Sequence, residues 1–159
     1  MYIQILFGQM KIEKLLKTSI QLPASKKLVL NIIVTANYIQ ESLTEVLKQF
    51  ELSSQQFNVL RILRGQNGNP ANLGTIQERM VSRMSNTTRL VDKLIQKGLA
   101  ERMICPSNRR KVEIRITEAG LALLTEIDPL IINLEESISA NINEEELKFL
   151  NQKLNAIRS

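Results

Sequence analysis

Apolar residues recur along this chain in two rhythms, and the change from one to the other marks out its elements. From about Ser25 to Phe50, the residues Leu28, Ile32, Ile33, Ala36, Ile39, Leu43, Val46, Leu47 and Phe50 return at steps of three and four with no internal Gly or Pro. This predicts one long helix of about seven turns. Its stripe is longer than one short neighbour covers, so it is expected to pack on a second chain as well as on its own. Ser53 with Gln56 three residues later is a capping-box pattern; it opens a short helix that buries Phe57, Leu60 and Leu63 and ends near Gly65. GQNGNP, from Gly65 to Pro70, reads as a loop. Asn72 then caps another short helix with Leu73, Ile76 and Met80 inward. After a tight connection at Val81 and Ser82, a polar-faced helix is expected from Ser82 to Lys97. Met84, Thr88, Val91, Leu94 and Ile95 lie on its packed side, and Ser82, Ser85, Asn86, Arg89, Lys93 and Gln96 on the outward one.

Gly98 stops that helix, and the rhythm changes to two. LAERMIC and KVEIRIT are the paired stretches, with Val112, Ile114 and Ile116 alternating with Glu113, Arg115 and Thr117. The turn sequence PSNRR between them gives a β-hairpin with a cationic tip. Thr117 caps a further helix striped by Leu121, Leu124, Ile127, Ile131, Leu134 and Ile138, with Pro129 inside it and a kink expected there. A last helix starts at Asn143, in a capping-box relation to Glu146, and is expected to bury Leu147, Leu150, Leu154 and Ile157. Two short helices joined tightly, the second polar outward and followed by a hairpin, are the arrangement of a winged helix-turn-helix. The fold class predicted is mainly α with a small β-hairpin wing, flanked by N- and C-terminal dimerisation helices. The expected domains are an extension over 1–24, a dimerisation or linker helix over 25–51, the winged helix over 52–117 and C-terminal dimerisation helices over 118–159. Residues 1–9 are apolar, without the pattern of a signal peptide. They read either as an upstream start ahead of Met10 or as an arm of the dimer.

Charge sharpens this picture. The 159 residues carry a formal net charge of +5, but residues 79–115 hold ten Lys or Arg against Asp92, Glu101 and Glu113, a net of +7, while residues 116–159 are at −5. A basic middle third beside an acidic tail points to nucleic acid more than to a membrane surface. Histidine is absent and Cys105 is the one cysteine. Cys/His zinc sites, Ser-His-Asp triads and Cys-His nucleophile pairs are therefore excluded by inventory, and no cofactor is implied. No apolar run approaches the roughly 20 residues that span a bilayer, and a lone Cys fits a reducing cytoplasm.

The order of elements, together with IQERM, SNTTRLVDKLIQKGLAER, the NRR turn, VEIRIT and TEAG, resembles the MarR family of bacterial transcription regulators over roughly Asn31 to Ile138. The resemblance implies a homodimer on a pseudo-palindromic operator, often released by a small phenolic or other aromatic ligand or by thiol oxidation. It also implies that Ser85, Asn86, Thr87 and Arg89 lie in or beside the major groove, and that Arg110 enters the minor groove. MarR-like pockets lie between the winged helix and the dimerisation helices, which makes Tyr38, Phe57 and Arg61 the lining candidates. Two departures stand out. Asn108 occupies a turn position that is usually Asp, so it brings no charge to hold Arg110. The cysteine that peroxide-sensing members carry near the start of the long helix is missing, and Cys105 reads as a plain strand residue.

The function expected is that of a sequence-specific, DNA-binding regulator, in the sense of a repressor, with duplex DNA and a second copy of itself as partners. Arg83, Arg89, Lys93, Arg109, Arg110 and Lys111 would neutralise phosphates, and Ser85, Asn86 and Thr87 would read base edges. Arg89 has a second reading, pairing with a carboxylate to hold the helix. The alternative for the whole chain is a winged-helix module that binds a protein and has no specific DNA readout; the basic concentration around helix and wing argues against it. An enzyme is not expected, because the scattered carboxylates form no pair in an apolar pocket.

Overall fold

The computed structural model of the chain describes residues 11–82, 86–104 and 112–159. It falls into two compact units, residues 1–41 and 42–159. The first holds α1 (Ile12–Leu15) and most of α2 (Ala24–Lys48), a helix whose last turns belong to the second. Lys27 Nζ lies 2.9 Å from Glu13 Oε1, and this bond holds the Glu13 carboxyl below the usual carboxylate range.

In the second unit α2 ends where the pattern weakens. Leu47 is fully buried, Glu51 takes a left-handed φ of 54°, and Leu52 N–H donates back to the Leu47 carbonyl at 3.2 Å. The Ser53–Gln56 capping box forms in both directions and opens α3 (Ser54–Arg64), which sends Phe57, Val59, Leu60 and Leu63 into the core. The Asn72 side chain accepts from Thr75 N–H and starts α4 (Leu73–Arg79), which buries Ile76. Next come α5 (Thr87–Gln96), β1 (Ala100–Ile104) and β2 (Val112–Ile116). The strands pair antiparallel from Ala100↔Ile116 to Ile104↔Val112. Ile114 is the fully buried member of β2, and Val112 and Ile116 pack at the core's edge.

Three features extend, bear out or correct the sequence reading. The first is an addition: the hairpin has a third edge, because Ala71 N–H donates to the Ile114 carbonyl at 2.9 Å and Ile114 N–H to the Ala71 carbonyl at 2.8 Å. A single bridging residue between a loop and a helix cap has no periodicity to reveal it. The second concerns α6 (Glu118–Ser139), which starts at Thr117 as its cap and runs through Pro129 without ending. It buries Leu124, Ile127 and Ile131. Asp128, beside the proline, receives a forked bond from Arg64 of α3 at 2.6 and 3.1 Å. The third is a correction. The last helix, α7 (Glu144–Ile157), has its Asn143–Glu146 capping box but buries no residue. Leu150, Leu154 and Ile157 are 43%, 38% and 53% exposed, and Leu147 is half-buried. The apolar stripe is as expected, but the described residues of one chain leave it uncovered.

Candidate nucleic-acid interface

The polar-faced helix begins later than its pattern implied. Met80 ends α4 with an extended ψ of 133°, Val81 and Ser82 are non-helical and exposed, and α5 starts at Thr87 with Asn86 as its cap. The expected start at Ser82 is therefore corrected. The cause is local: Asn86 Oδ1 accepts from Arg89 N–H at 3.1 Å, a geometry that needs a non-helical Asn86.

The later start also changes which threonine packs. Thr87, Val91 and Leu94 form the buried stripe, one turn apart, and Thr88 is exposed. The sequence alone puts Thr88 on the packed side and counts Thr87 among the residues expected at base edges. Thr87 is only 5% exposed, and its hydroxyl donates to Gln77 Oε1 of α4. With that partner the hydroxyl is buried at little cost. Thr87 thus ties the two helices of the helix-turn-helix together and is withdrawn from the outer surface.

That surface carries Asn86, Thr88, Arg89, Lys93 and Gln96, all exposed. Arg89 has no carboxylate partner among the described residues, so its second reading, as a structural ion pair, finds no support. The acidic residue on the flank of α5 is paired instead: Asp92 Oδ1 lies 2.5 Å from Arg102 Nη2 of β1. This pair removes a negative charge from the field of the outer face and fastens the hairpin to α5. Sequence reasoning missed Gln77 and Arg102 because their roles rest on partners ten residues away that share no pattern with them.

Arg83, Ser85, Arg109, Arg110 and Lys111 lie outside the described residues, as do Cys105 and Asn108. Of the lining candidates, Tyr38 sits half-buried on α2 in the first unit. In the second, Phe57 is a core residue at 4% exposure, and the exposed Arg61 guanidinium stands 5.7 Å from its ring centroid. Among the described residues no group of three or more His, Cys, Asp or Glu is placed to hold a metal ion, and no helix is long and apolar enough to cross a membrane.

Comparison with known proteins agrees with this geometry. The model of the MarR family matches residues 52–112, from just before the Ser53 cap of α3 to the start of β2. The transcriptional regulator PecS of Dickeya dadantii is 30% identical over 122 residues, 75% of this chain and 72% of its own. MhqR of Bacillus subtilis, also an HTH-type transcriptional regulator, is 30% identical over 135 residues, 83% of this chain and 91% of its own. Among solved structures, a mutant MarR from E. coli complexed with operator DNA superposes with a TM-score of 0.71 at 23% identity, covering 79% of this chain and 89% of that one. The chain belongs to the MarR family: it is a winged helix-turn-helix, DNA-binding transcriptional regulator and not an enzyme.

Proposed function

We propose that the protein is a homodimeric repressor that binds a pseudo-palindromic operator in the cytoplasm, placing α5 of each copy in a major groove and the hairpin tip beside it. The observation that carries this reading is the outer face of α5. Its inner side is held by Thr87, Val91, Leu94 and the Asp92–Arg102 pair, while Asn86, Thr88, Arg89 and Lys93 face solvent. A rigid helix with amide, hydroxyl and cationic groups outward suits base edges and phosphates together. In a two-fold dimer the two α5 helices enter successive major grooves, so footprinting should show half-sites about 34 Å or roughly 10 base pairs apart.

Asn86 has two jobs in this reading, capping with its oxygen and reading with its amide, and substitution separates them. Asn86→Ser keeps a cap acceptor, so stability should change by only a few tenths of a kcal/mol. The lost amide should cost on the order of 1–3 kcal/mol on the operator and much less on random duplex. Lys93→Ala should weaken both alike. Anisotropy titrations of the two variants on both duplexes check the assignment, and identical behaviour on the two DNAs would refute it.

The hairpin tip is the second anchor. The sequence from Pro106 to Arg109 has no apolar side chain beyond the proline, so Arg110→Ala should leave folding nearly intact. A guanidinium is weakly hydrated and planar, which suits a narrow, electronegative minor groove. Removing it from both copies should make the slope of log affinity against log salt shallower by up to about 2. Asn108→Asp, which supplies the carboxylate usual at that turn position, should keep or raise affinity. An Arg110→Ala protein with unchanged slope and affinity would remove the tip from the interface.

Release by a small aromatic acid completes the proposal. Arg61, exposed over the Phe57 ring, is the candidate group for the ligand's carboxylate. A screen of aromatic acids for operator release, repeated on Arg61→Ala, tests it: release that is unaffected by the substitution excludes Arg61.

A further inference from the structure

The C-terminal end of α5 is a joint where three elements meet. Lys97 follows the helix, Gly98 turns the chain at a φ of 70°, and Leu99 N–H donates back to the Leu94 carbonyl at 2.9 Å. On one side Thr117, the cap of α6, donates its hydroxyl to the Gly98 carbonyl at 2.7 Å and its N–H to the Leu99 carbonyl at 3.2 Å. On the other side Lys97 Nζ donates to the main-chain carbonyl of Glu51 at 2.6 Å. Glu51 is the residue that ends the turn after α2, and its left-handed φ of 54° is a conformation that a side chain bearing a Cβ resists. The Glu51 carboxylate is a weaker partner, at 3.7 Å and 88% exposed.

A strained residue is retained where its surroundings hold it; Leu47 and Leu52, buried on either side, hold Glu51, and the group that meets its carbonyl is a charged donor at the end of α5. We infer that Lys97 is a positioning residue for DNA reading: its bond to the Glu51 carbonyl fixes the end of α5 to the last turn of α2, and so sets the angle at which the outer face of α5 is presented. Lys97 belongs to the basic middle third of the chain, yet its ammonium is bonded to the protein's own main chain. Buried anchors on both sides of Glu51, Leu47 at 0% and Leu52 at 4% exposure, leave the carbonyl between them little freedom, so the bond constrains α5 more than it constrains the turn. This inference rests on the proposed role of α5 in reading DNA.

The test uses the full chain, a duplex selected by the protein from a random library, and a random duplex. Lys97→Met keeps the aliphatic stem and removes the donor. It should lower affinity for the selected duplex about tenfold, the scale of one charged hydrogen bond, with the salt slope unchanged and random-duplex affinity intact. Amide hydrogen exchange over residues 87–97 in the free protein should become faster. Lys97→Arg, which keeps a donor, should restore both, and Glu51→Gln should behave as wild type because the acceptor is the carbonyl. A fall in affinity accompanied by a shallower salt slope would place Lys97 on phosphate and overturn the inference. Unchanged affinity and exchange would overturn it as well. Should the wild type select no sequence, the proposed function falls, while the exchange measurement still judges the joint.

Discussion

Gly120→Ala is expected to cost about 3 kcal/mol, at the upper end of what overpacking costs in a core, and to lower the midpoint of thermal unfolding by roughly 10 °C. The reason is a backbone approach that leaves no room for a methyl group. A Cβ on Gly120 would stand 2.3 Å from the Leu99 carbonyl oxygen and 2.7 Å from Ile116 Cγ1. The oxygen is main chain and is already held by Thr117 N–H at 3.2 Å, so it has no easy retreat. The first turn of α6 would have to lift away from the end of α5, loosening the joint that Lys97 and Thr117 form. Gly65→Ala is the control: Gly65 has an ordinary φ of −66°, and its Cβ would meet nothing closer than 3.4 Å. That substitution should be neutral or stabilising by up to about 1 kcal/mol, because alanine loses less backbone entropy on folding. Melting curves followed by circular dichroism decide the matter. A Gly120→Ala protein melting within a degree or two of wild type would mean that α6 does not need this approach.

The second large effect is expected from removing residues 143–159. Phe149, Leu150, Leu154 and Ile157 are 56%, 43%, 38% and 53% exposed on α7, and Ile132 on α6 is 52% exposed. Covering a whole side chain of this kind contributes about 1.5–3 kcal/mol. Covering the exposed half of each of the four on α7 therefore contributes roughly 4 kcal/mol per chain, or roughly 8 for two copies. A loss of that size turns a dimer held at nanomolar concentration into a monomer at micromolar concentration. Sedimentation velocity on the truncated protein should show monomer or aggregate, with operator binding lost. A well-folded truncated monomer that still binds its operator at wild-type affinity would sink the proposed dimer.

Much of this architecture is legible in the chain because it is built from short-range rules. Capping boxes at Ser53 and Asn143, the caps Asn72 and Thr117, the stop at Gly98 and the alternation of Val112, Ile114 and Ile116 each act within a few residues. A pattern read over the same distance finds them. The family motif SNTTRLVDKLIQKGLAER is legible for the same reason, and with it the outer positions Arg89 and Lys93 of α5.

The exceptions all depend on distant partners. Whether Thr87 or Thr88 packs depends on where Asn86 starts α5, and on Gln77 of another helix being there to take the Thr87 hydroxyl. Periodicity alone carries a phase error of one residue, and for adjacent threonines that error exchanges inside for outside. Asp92 and Arg102, Arg64 and Asp128, and Lys97 and Glu51 lie 10, 64 and 46 residues apart, and no local rule pairs them. Short-range chemistry therefore dictates the kind of each helix and strand and the side of each that is apolar. Which apolar side finds cover, and which charge is paired within the chain, follow from segments that meet in three dimensions, since burial and ion pairing depend on neighbours in space and not in sequence.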